Sequence, residues 1–206
     1  SSPSWDSPWM RGRPGWHIEC SAMTHSFFGQ DLDIHSGGVD LKFPHHTNEI
    51  AQCEAHNSCH SWVSHWIHLG HLYIDGRKMS KSLKNFITIR EYLDSGMSSE
   101  PADDLRIFFL QHKYISSLHF SADRIQQAAS FRNKLESFLD RVEILVGRTE
   151  IVAKSTHGSK ALLNDLANCK AHVKSALLDD INTPLALNLL GDLVGVASQY
   201  LARAGD

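Results

Sequence analysis

The sequence has few cysteines, few prolines and almost no excess of either charge. Its 206 residues include four cysteines without regular spacing, which excludes a disulfide-stapled scaffold and favours a reducing compartment. A net charge of −3 excludes a broad basic surface for nucleic acid, although one local basic site is compatible with it. The four cysteines are Cys20, Cys53, Cys59 and Cys169.

Long apolar runs are also missing. No stretch predicts a transmembrane helix, and residues 1–10 lack the apolar core of a signal peptide. We therefore expect no membrane partner and a cytoplasmic location, with an organelle as the alternative. Hydrophobic residues still make up 42% of the chain, which suffices for one large or two small domains with a sizeable core.

The first part of the chain predicts an α/β fold. Residues 16–19 resemble a buried strand end, residues 32–34 a second strand that leads into a Gly-rich turn at 36–38, and residues 72–74 a third. Pro44 favours the first turn of a helix that runs to about Ala55. This alternation is typical of a parallel sheet with crossover helices, in which ligands bind beyond the carboxyl ends of the strands.

The rest of the chain predicts helices. Thr88 and Glu91 form a capping-box pattern, and Pro101 opens a helix. Apolar stripes then indicate a helical bundle without chemistry of its own. Its longer helices begin after Ser121, after a polar linker at 147–158, and at Thr183, which is predicted as a cap before Pro184.

Two side chains near the start of the helix predicted after Pro44 have the spacing of a metal site. His45 and Glu49 lie four positions apart, so they point the same way. An imidazole and a carboxylate at that spacing can share a zinc ion, and Cys20 can join them if its strand neighbours the helix. Cys53 falls on the same helical stripe and is an alternative ligand. A surface His/Glu pair beside a buried free cysteine explains the same residues without a metal.

A basic loop follows the third predicted strand. It contains Lys78 and Lys81, two ammonium groups three positions apart, together with the hydroxyls of Ser80 and Ser82. These groups suit a polyphosphate, because lysine offers a compact positive charge and hydroxyls donate hydrogen bonds to phosphate oxygens. A solvated surface loop is the alternative interpretation.

Other candidates are weaker. Gly37 and Gly38 could let a ligand approach the backbone closely. Asp40 could accept hydrogen bonds from ribose hydroxyls or cap a turn. Trp16 could form a pocket wall or belong to the core.

Four motifs, in this order, resemble one family. They are GRPGWHIECSAM at 12–23, DIHSGGVDL at 33–41, FPHHTNE at 43–49 and KMSKS at 78–82. The sequence is similar to cysteinyl-tRNA synthetases, which are class I aminoacyl-tRNA synthetases. The likeness covers nearly the whole chain and weakens after about residue 125.

The resemblance implies a domain organisation and a set of zinc ligands. Residues 1–87 would be the C-terminal half of a Rossmann-like catalytic domain, residues 88–122 a stem-contact region and residues 123–206 a helical anticodon-side domain. Three of the family's four zinc ligands correspond to Cys20, His45 and Glu49. The fourth is a cysteine that this sequence does not contain, so the resemblance sets Cys53 aside.

The resemblance also implies an activity: ATP-dependent activation of L-cysteine to cysteinyl-adenylate and its transfer to tRNA(Cys). Zinc would select the cysteine thiolate, with Trp16 and His35 near the amino acid. Lys78 and Lys81 would stabilise charge on the departing pyrophosphate beside Mg²⁺. The ATP site would comprise Lys81, Asp40, Gly37 and Gly38.

The chain alone is expected to be inactive, because the half of the family's catalytic domain that grips ATP is not in this sequence. Two alternatives remain at this point. One is a cysteine ligase of the mycothiol pathway, which makes the same adenylate. The other is a non-catalytic zinc- or RNA-binding module.

Overall fold

The chain divides into two compact units, Ser1–His71 and Leu72–Asp206. A computed structural model describes residues 3–74, 76–80, 82–148 and 157–204. In the first unit the elements are α1 (Trp16–Phe28), β1 (Leu32–Gly38), α2 (Thr47–Asn57) and β2 (Val63–Leu69). In the second they are β3 (Leu72–Ile74), β4 (Arg77–Lys78), α3 (Ile89–Asp94), α4 (Pro101–Leu110), β5 (Leu118–Phe120), α5 (Ala122–Arg148), α6 (His157–Leu178) and α7 (Thr183–Ala204).

The first unit is built on a parallel strand pair. β1 pairs with β2 from Leu32 opposite Val63 to Gly38 opposite Leu69, and α2 is the crossover between them. α1 packs on α2, and the buried core contains Cys53 and Trp62. The parallel pairing and the α/β class predicted from the sequence are confirmed.

Residues 16–19 were predicted as a strand end, and that prediction is wrong. They form the first turn of α1, which begins after Gly15 and ends at Gly29. Gly29 has φ 76°, and its N–H donates to His25 O at 2.9 Å, an ending that glycine tolerates without strain. Packing on α2 therefore outweighs the strand preference of Trp and Ile at this site.

The neighbouring boundaries also differ from the sequence-based expectation. β1 continues through Gly38, so residues 36–38 are strand rather than turn. Residues Lys42–His46 form a wide π-type turn, and the regular helix begins only at Thr47. β2 was not predicted.

In the second unit β3 pairs antiparallel with β4 and parallel with β5. The helices expected at Pro101 and after Ser121 are confirmed, and so is the capping box: Glu91 N–H donates to Thr88 Oγ1 at 3.1 Å and Thr88 N–H to Glu91 Oε2 at 2.8 Å. The last helix begins at Thr183, which was predicted as its cap. The capping side chain is instead that of Asn182, whose Oδ1 accepts from Leu185 N–H at 3.4 Å. Most of the predicted linker at 147–158 lies outside the described residues.

One helix among the described residues, α7, is long and apolar enough to cross a membrane by length and composition, over Thr183–Arg203. The expectation that no stretch of the chain is long and apolar enough to cross a membrane is therefore wrong. Core helices of globular proteins pass the same test, and α7 packs against α5 and α6.

A buried ion pair joins α4 to α5. Arg132 Nε donates to Asp104 Oδ1 at 2.8 Å, and Asp104 is fully buried. The same guanidinium also contacts Glu136 and donates to Ser99 Oγ at 3.2 Å. The arginine thus supplies the charge that a buried carboxylate requires.

We expect Arg132→Met to lower the free energy of unfolding by about 3–5 kcal/mol, because it leaves Asp104 buried without a partner. Urea unfolding followed by circular dichroism measures this loss. The matched control is Arg106→Met, which removes an exposed pair with Asp103 and should cost under about 0.5 kcal/mol. Equal losses in the two variants would contradict the role of burial.

Candidate functional site

A buried carboxylate, an imidazole and a thiol meet where α1 packs on α2. Glu49, in the first turn of α2, is fully buried, and His45 Nε2 lies 2.6 Å from its Oε1. Cys20 approaches from α1, and one ligand atom of each of the three residues lies within 4.8 Å of the others. The structure therefore brings together the three residues predicted as metal ligands.

The electrostatics of this group are unusual. Burial raises the pKa of Glu49 to about 7, an effect that a hydrogen bond from the Cys20 thiol only partly offsets. The pKa of Cys20 is also raised, by burial and then by the charge of Glu49. Without a compensating cation the carboxyl group is therefore only partly ionised at neutral pH.

The lack of aligned hydrogen bonds to Glu49 also indicates that this site needs a cation. Apart from the thiol contact, neither oxygen has an aligned hydrogen-bond partner among the described residues, although His45 Nε2 is close. A buried carboxylate in that condition is costly. A divalent cation shared by these groups would remove the cost.

The donor atoms suit such an ion. Burial and the neighbouring His17 lower the pKa of His45, so its ring is neutral and can donate a lone pair. Two ligands that share a tetrahedral zinc ion lie roughly 3.3 Å apart. The His45–Glu49 contact of 2.6 Å would therefore open by several tenths of an ångström on binding.

A second group of histidines lies on the other side of Glu49. His35 Nε2 is 3.3 Å from Glu49 Oε2, and His35, His46 and Glu49 also have ligand atoms within 4.8 Å of one another. His46 Nδ1 is already 2.8 Å from His68 Nε2, and burial with the neighbouring His35 lowers the pKa of His46 to about 4. These neutral rings pack around Trp66 as a wall behind the carboxylate.

The sequence left two interpretations each for Trp16 and Cys53, and the structure shows where both residues lie. Trp16 is 56% exposed and stacks on His45 with ring centroids 4.1 Å apart, which excludes a place in the core. Cys53 is buried with Trp62 and Val63 and does not join the group around Glu49.

Gly37 and Gly38, which were predicted to approach a ligand, lie at positions where neighbouring side chains leave little room for a Cβ atom. A Cβ on Gly37 would lie 2.8 Å from His46 Cε1 and 3.0 Å from Leu41 Cδ1. A Cβ on Gly38 would lie 2.6 Å from Asp40 Oδ1. Asp40 Oδ1 lies 3.5 Å from His71 Nε2.

The basic loop belongs to the second unit. Lys78 is exposed at the end of β4, and Lys81 lies outside the described residues. Asn85 organises the loop: its Oδ1 accepts from Ser80 N–H at 3.0 Å and its Nδ2 donates to Lys78 O at 3.2 Å. The Asn85 side chain thus ties the backbone at Lys78 to the backbone at Ser80, while the Lys78 side chain remains exposed.

Sequence reasoning missed His17 and His68, which touch His45 and His46. His17 was hidden by the strand prediction, because residues three apart lie on opposite sides of a strand and on one side of a helix. If the segment is interpreted as a helix, residues 17, 20 and 21 lie on one face, which in the structure is the face toward α2. No comparable signal marks His68, because β2 was not predicted.

The fold has close counterparts among solved synthetase structures. A leucyl-tRNA synthetase of Agrobacterium radiobacter K84, in a ternary complex with tRNA and LeuAMS, matches 97% of this chain and 29% of its own, with TM-score 0.68 and 12% identity. A Mycobacterium tuberculosis methionyl-tRNA synthetase in complex with methionyl-adenylate matches 82% of this chain and 34% of its own, with TM-score 0.67 and 19% identity. The fold is thus that of class I aminoacyl-tRNA synthetases.

Sequence relatives narrow the class. The chain belongs to the family described as tRNA synthetases class I (C) catalytic domain, whose profile matches residues 1–130. It is 42% identical over 99% of its length to the cytoplasmic cysteine–tRNA ligase of Dictyostelium discoideum and 43% identical over 97% to that of Gallus gallus. A probable mitochondrial cysteine–tRNA ligase of Xenopus tropicalis is 42% identical over 97%. The chain spans 31%, 27% and 34% of these relatives, respectively.

We expect Gly37→Ala to lower the free energy of unfolding by about 1–3 kcal/mol, because the added methyl group overpacks His46 and Leu41. Thermal unfolding measures the change. Gly12→Ala is the control, since a Cβ there meets nothing within 4 Å. A Gly37→Ala protein as stable as the control would show that the contact with His46 is not tight.

Proposed function

We propose that the chain is part of a cysteine–tRNA ligase, which activates L-cysteine with ATP and transfers it to tRNA(Cys) in the cytoplasm or an organelle. The observation that carries this is the fully buried Glu49 carboxylate beside a thiol and a neutral imidazole. The names of the relatives support the same activity over an aminosugar ligase, since they are tRNA ligases along nearly the whole chain.

In this proposal Cys20, His45 and Glu49 hold a zinc ion. Nitrogen, sulfur and carboxylate donors are the set that zinc binds in proteins. When bound, the ion supplies a soft, Lewis-acidic position that takes the thiolate of cysteine in preference to the hydroxyl of serine. A polar or apolar pocket alone discriminates poorly between two such similar side chains.

The chain's own side chains would orient the amino acid. The exposed ring of Trp16 lies over His45 and would cover one side of the substrate. Burial and the neighbouring His45 lower the pKa of His35, so this ring is neutral and would meet the substrate as a hydrogen-bonding group rather than a charge. Glu49 separates His35 from His45 and would hold both in place.

Asp40, Gly37 and Gly38 of the first unit would contribute to the binding of ATP with Mg²⁺. Class I synthetases use ATP, and phosphoryl chemistry depends mainly on positioning and on neutralising the developing charge. Lys81 and Lys78 would stabilise the departing pyrophosphate. Residues 88–122 and 123–206 would contact the stem and the anticodon side of tRNA(Cys).

The zinc assignment predicts the effect of Cys20→Ser. Since changes around a metal ligand cost about 10–100-fold in affinity, loss of a ligand should weaken zinc binding at least about a hundredfold. The KM for cysteine should rise in parallel while the KM for ATP stays unchanged, as measured by ATP–pyrophosphate exchange with the full-length protein.

The control for this experiment is Cys59→Ser, which removes a thiol in the same unit that is not part of the group around Glu49. Full zinc content in the Cys20→Ser protein, by elemental analysis, would refute the assignment.

The basic loop predicts a different kinetic effect. Lys81→Ala should slow adenylate formation about a hundred- to thousandfold, because its charge matters most as pyrophosphate departs. Lys84→Ala, beyond the motif, should cost far less. Rapid-quench kinetics separates the rate from binding, and a Lys81→Ala protein that changes only the Kd for cysteine would overturn the role given to Lys81.

A further inference from the structure

His17 contacts the side of His45 that faces away from the carboxylate. The two Nδ1 atoms are 2.6 Å apart, whereas His45 Nε2 faces Glu49 Oε1. His17 lies one turn before Cys20 on α1, so a single helix carries both the thiol and this contact. Each ring nitrogen of His45 therefore has a different neighbour.

Only one proton can lie between the two Nδ1 atoms. A neutral imidazole that binds a metal through Nε2 carries its proton on Nδ1, and that N–H needs an acceptor. His17 Nδ1 is then the acceptor, and the remaining proton of His17 lies on its Nε2.

The remaining freedom of the His45 ring is limited by stacking. Trp16 lies on this ring with an interplanar angle of 23°, and it also stacks beside His17. Stacking fixes the plane of the ring but does not distinguish its two flipped orientations, since the two faces of an imidazole are equivalent to a stacked ring. The contact with His17 distinguishes them.

A buried hydrogen bond holds α1 against α2 close to His17 and Cys20. Ser21, which is 4% exposed, donates from Oγ to Gln52 Oε1 at 2.7 Å. This bond lies one residue after Cys20 and one turn after His17. It keeps the acceptor nitrogen of His17 within reach of His45.

We propose that His17 is a positioning residue, which fixes the tautomer and ring orientation of His45 so that Nε2 presents its lone pair to the metal. This inference rests on the metal centre of the proposed function. His17 does not bind the metal in this arrangement, because its Nδ1 is directed at His45 and it is not among the residues grouped around Glu49.

The experiment compares His17→Leu, which removes the acceptor, with His17→Asn, whose Oδ1 replaces it. Zinc dissociation constants come from chelator competition, and the visible spectrum of the Co²⁺-substituted protein reports ligand geometry. His17→Leu should weaken zinc binding about 10–100-fold and alter the Co²⁺ bands, whereas His17→Asn should recover most of both. His25→Leu, two turns further along α1, is the matched control and should bind as the unaltered protein does.

Each outcome decides the question. Unchanged zinc affinity in His17→Leu, or equal losses in the Leu and Asn proteins, would overturn the role of His17. Where circular dichroism shows that leucine disturbs folding, His17→Ala with and without added imidazole replaces it, and a loss that imidazole does not restore counts against the proposal. If the unaltered protein binds no zinc, the proposed function fails instead.

Discussion

The first unit depends on the burial of one carboxylate. Glu49 is fully shielded from water, its raised pKa reflects that burial, and apart from the Cys20 thiol no described group offers it an aligned hydrogen bond. Such a group costs several kcal/mol unless something of opposite charge joins it. The surrounding residues offer neutral nitrogen and sulfur donors instead of a Lys or Arg, which is the environment of a metal ligand.

The second unit resolves the same physical problem in the opposite way. Asp104 is as deeply buried as Glu49, but Arg132 lies 2.8 Å from it and supplies the positive charge within the fold. The contrast separates a structural carboxylate from a candidate functional one. Burial, and then the neighbouring imidazoles, lower the pKa values of His35 and His46, so these rings do not supply Glu49 with the positive charge that Arg132 supplies to Asp104.

Local features of both units could be predicted from the sequence. The approach of His45 to Glu49 follows from their spacing of four, although His45 lies in the turn before α2, and the capping box of Thr88 and Glu91 needs only residues within one turn. α1 could not be predicted, because Gly15 offers no capping side chain and its first residues suit a strand equally well. The same error hid His17, whose place opposite His45 depends on the packing of two helices rather than on spacing.

The strands show a related limit. β2 reads Val-Ser-His-Trp-Ile-His-Leu, which lacks the strict alternation of apolar and polar residues that marks a half-buried strand, and β5 has only three residues. Each strand is defined by its partner, which lies 31 residues away for β1 and β2 at Leu32 and Val63. The resemblance to a family narrowed the candidate metal ligands to Cys20, His45 and Glu49, and the structure adds a physical reason for them, a buried carboxylate that lacks a charge partner.

Diffraction data collected on either side of the zinc absorption edge test this account most directly. The account predicts an anomalous peak at about 2.0–2.3 Å from Cys20 Sγ, His45 Nε2 and a Glu49 oxygen in protein purified with zinc. A peak between His35 and His46 instead, or no peak and a protonated Glu49 hydrogen-bonded to His45, would contradict it.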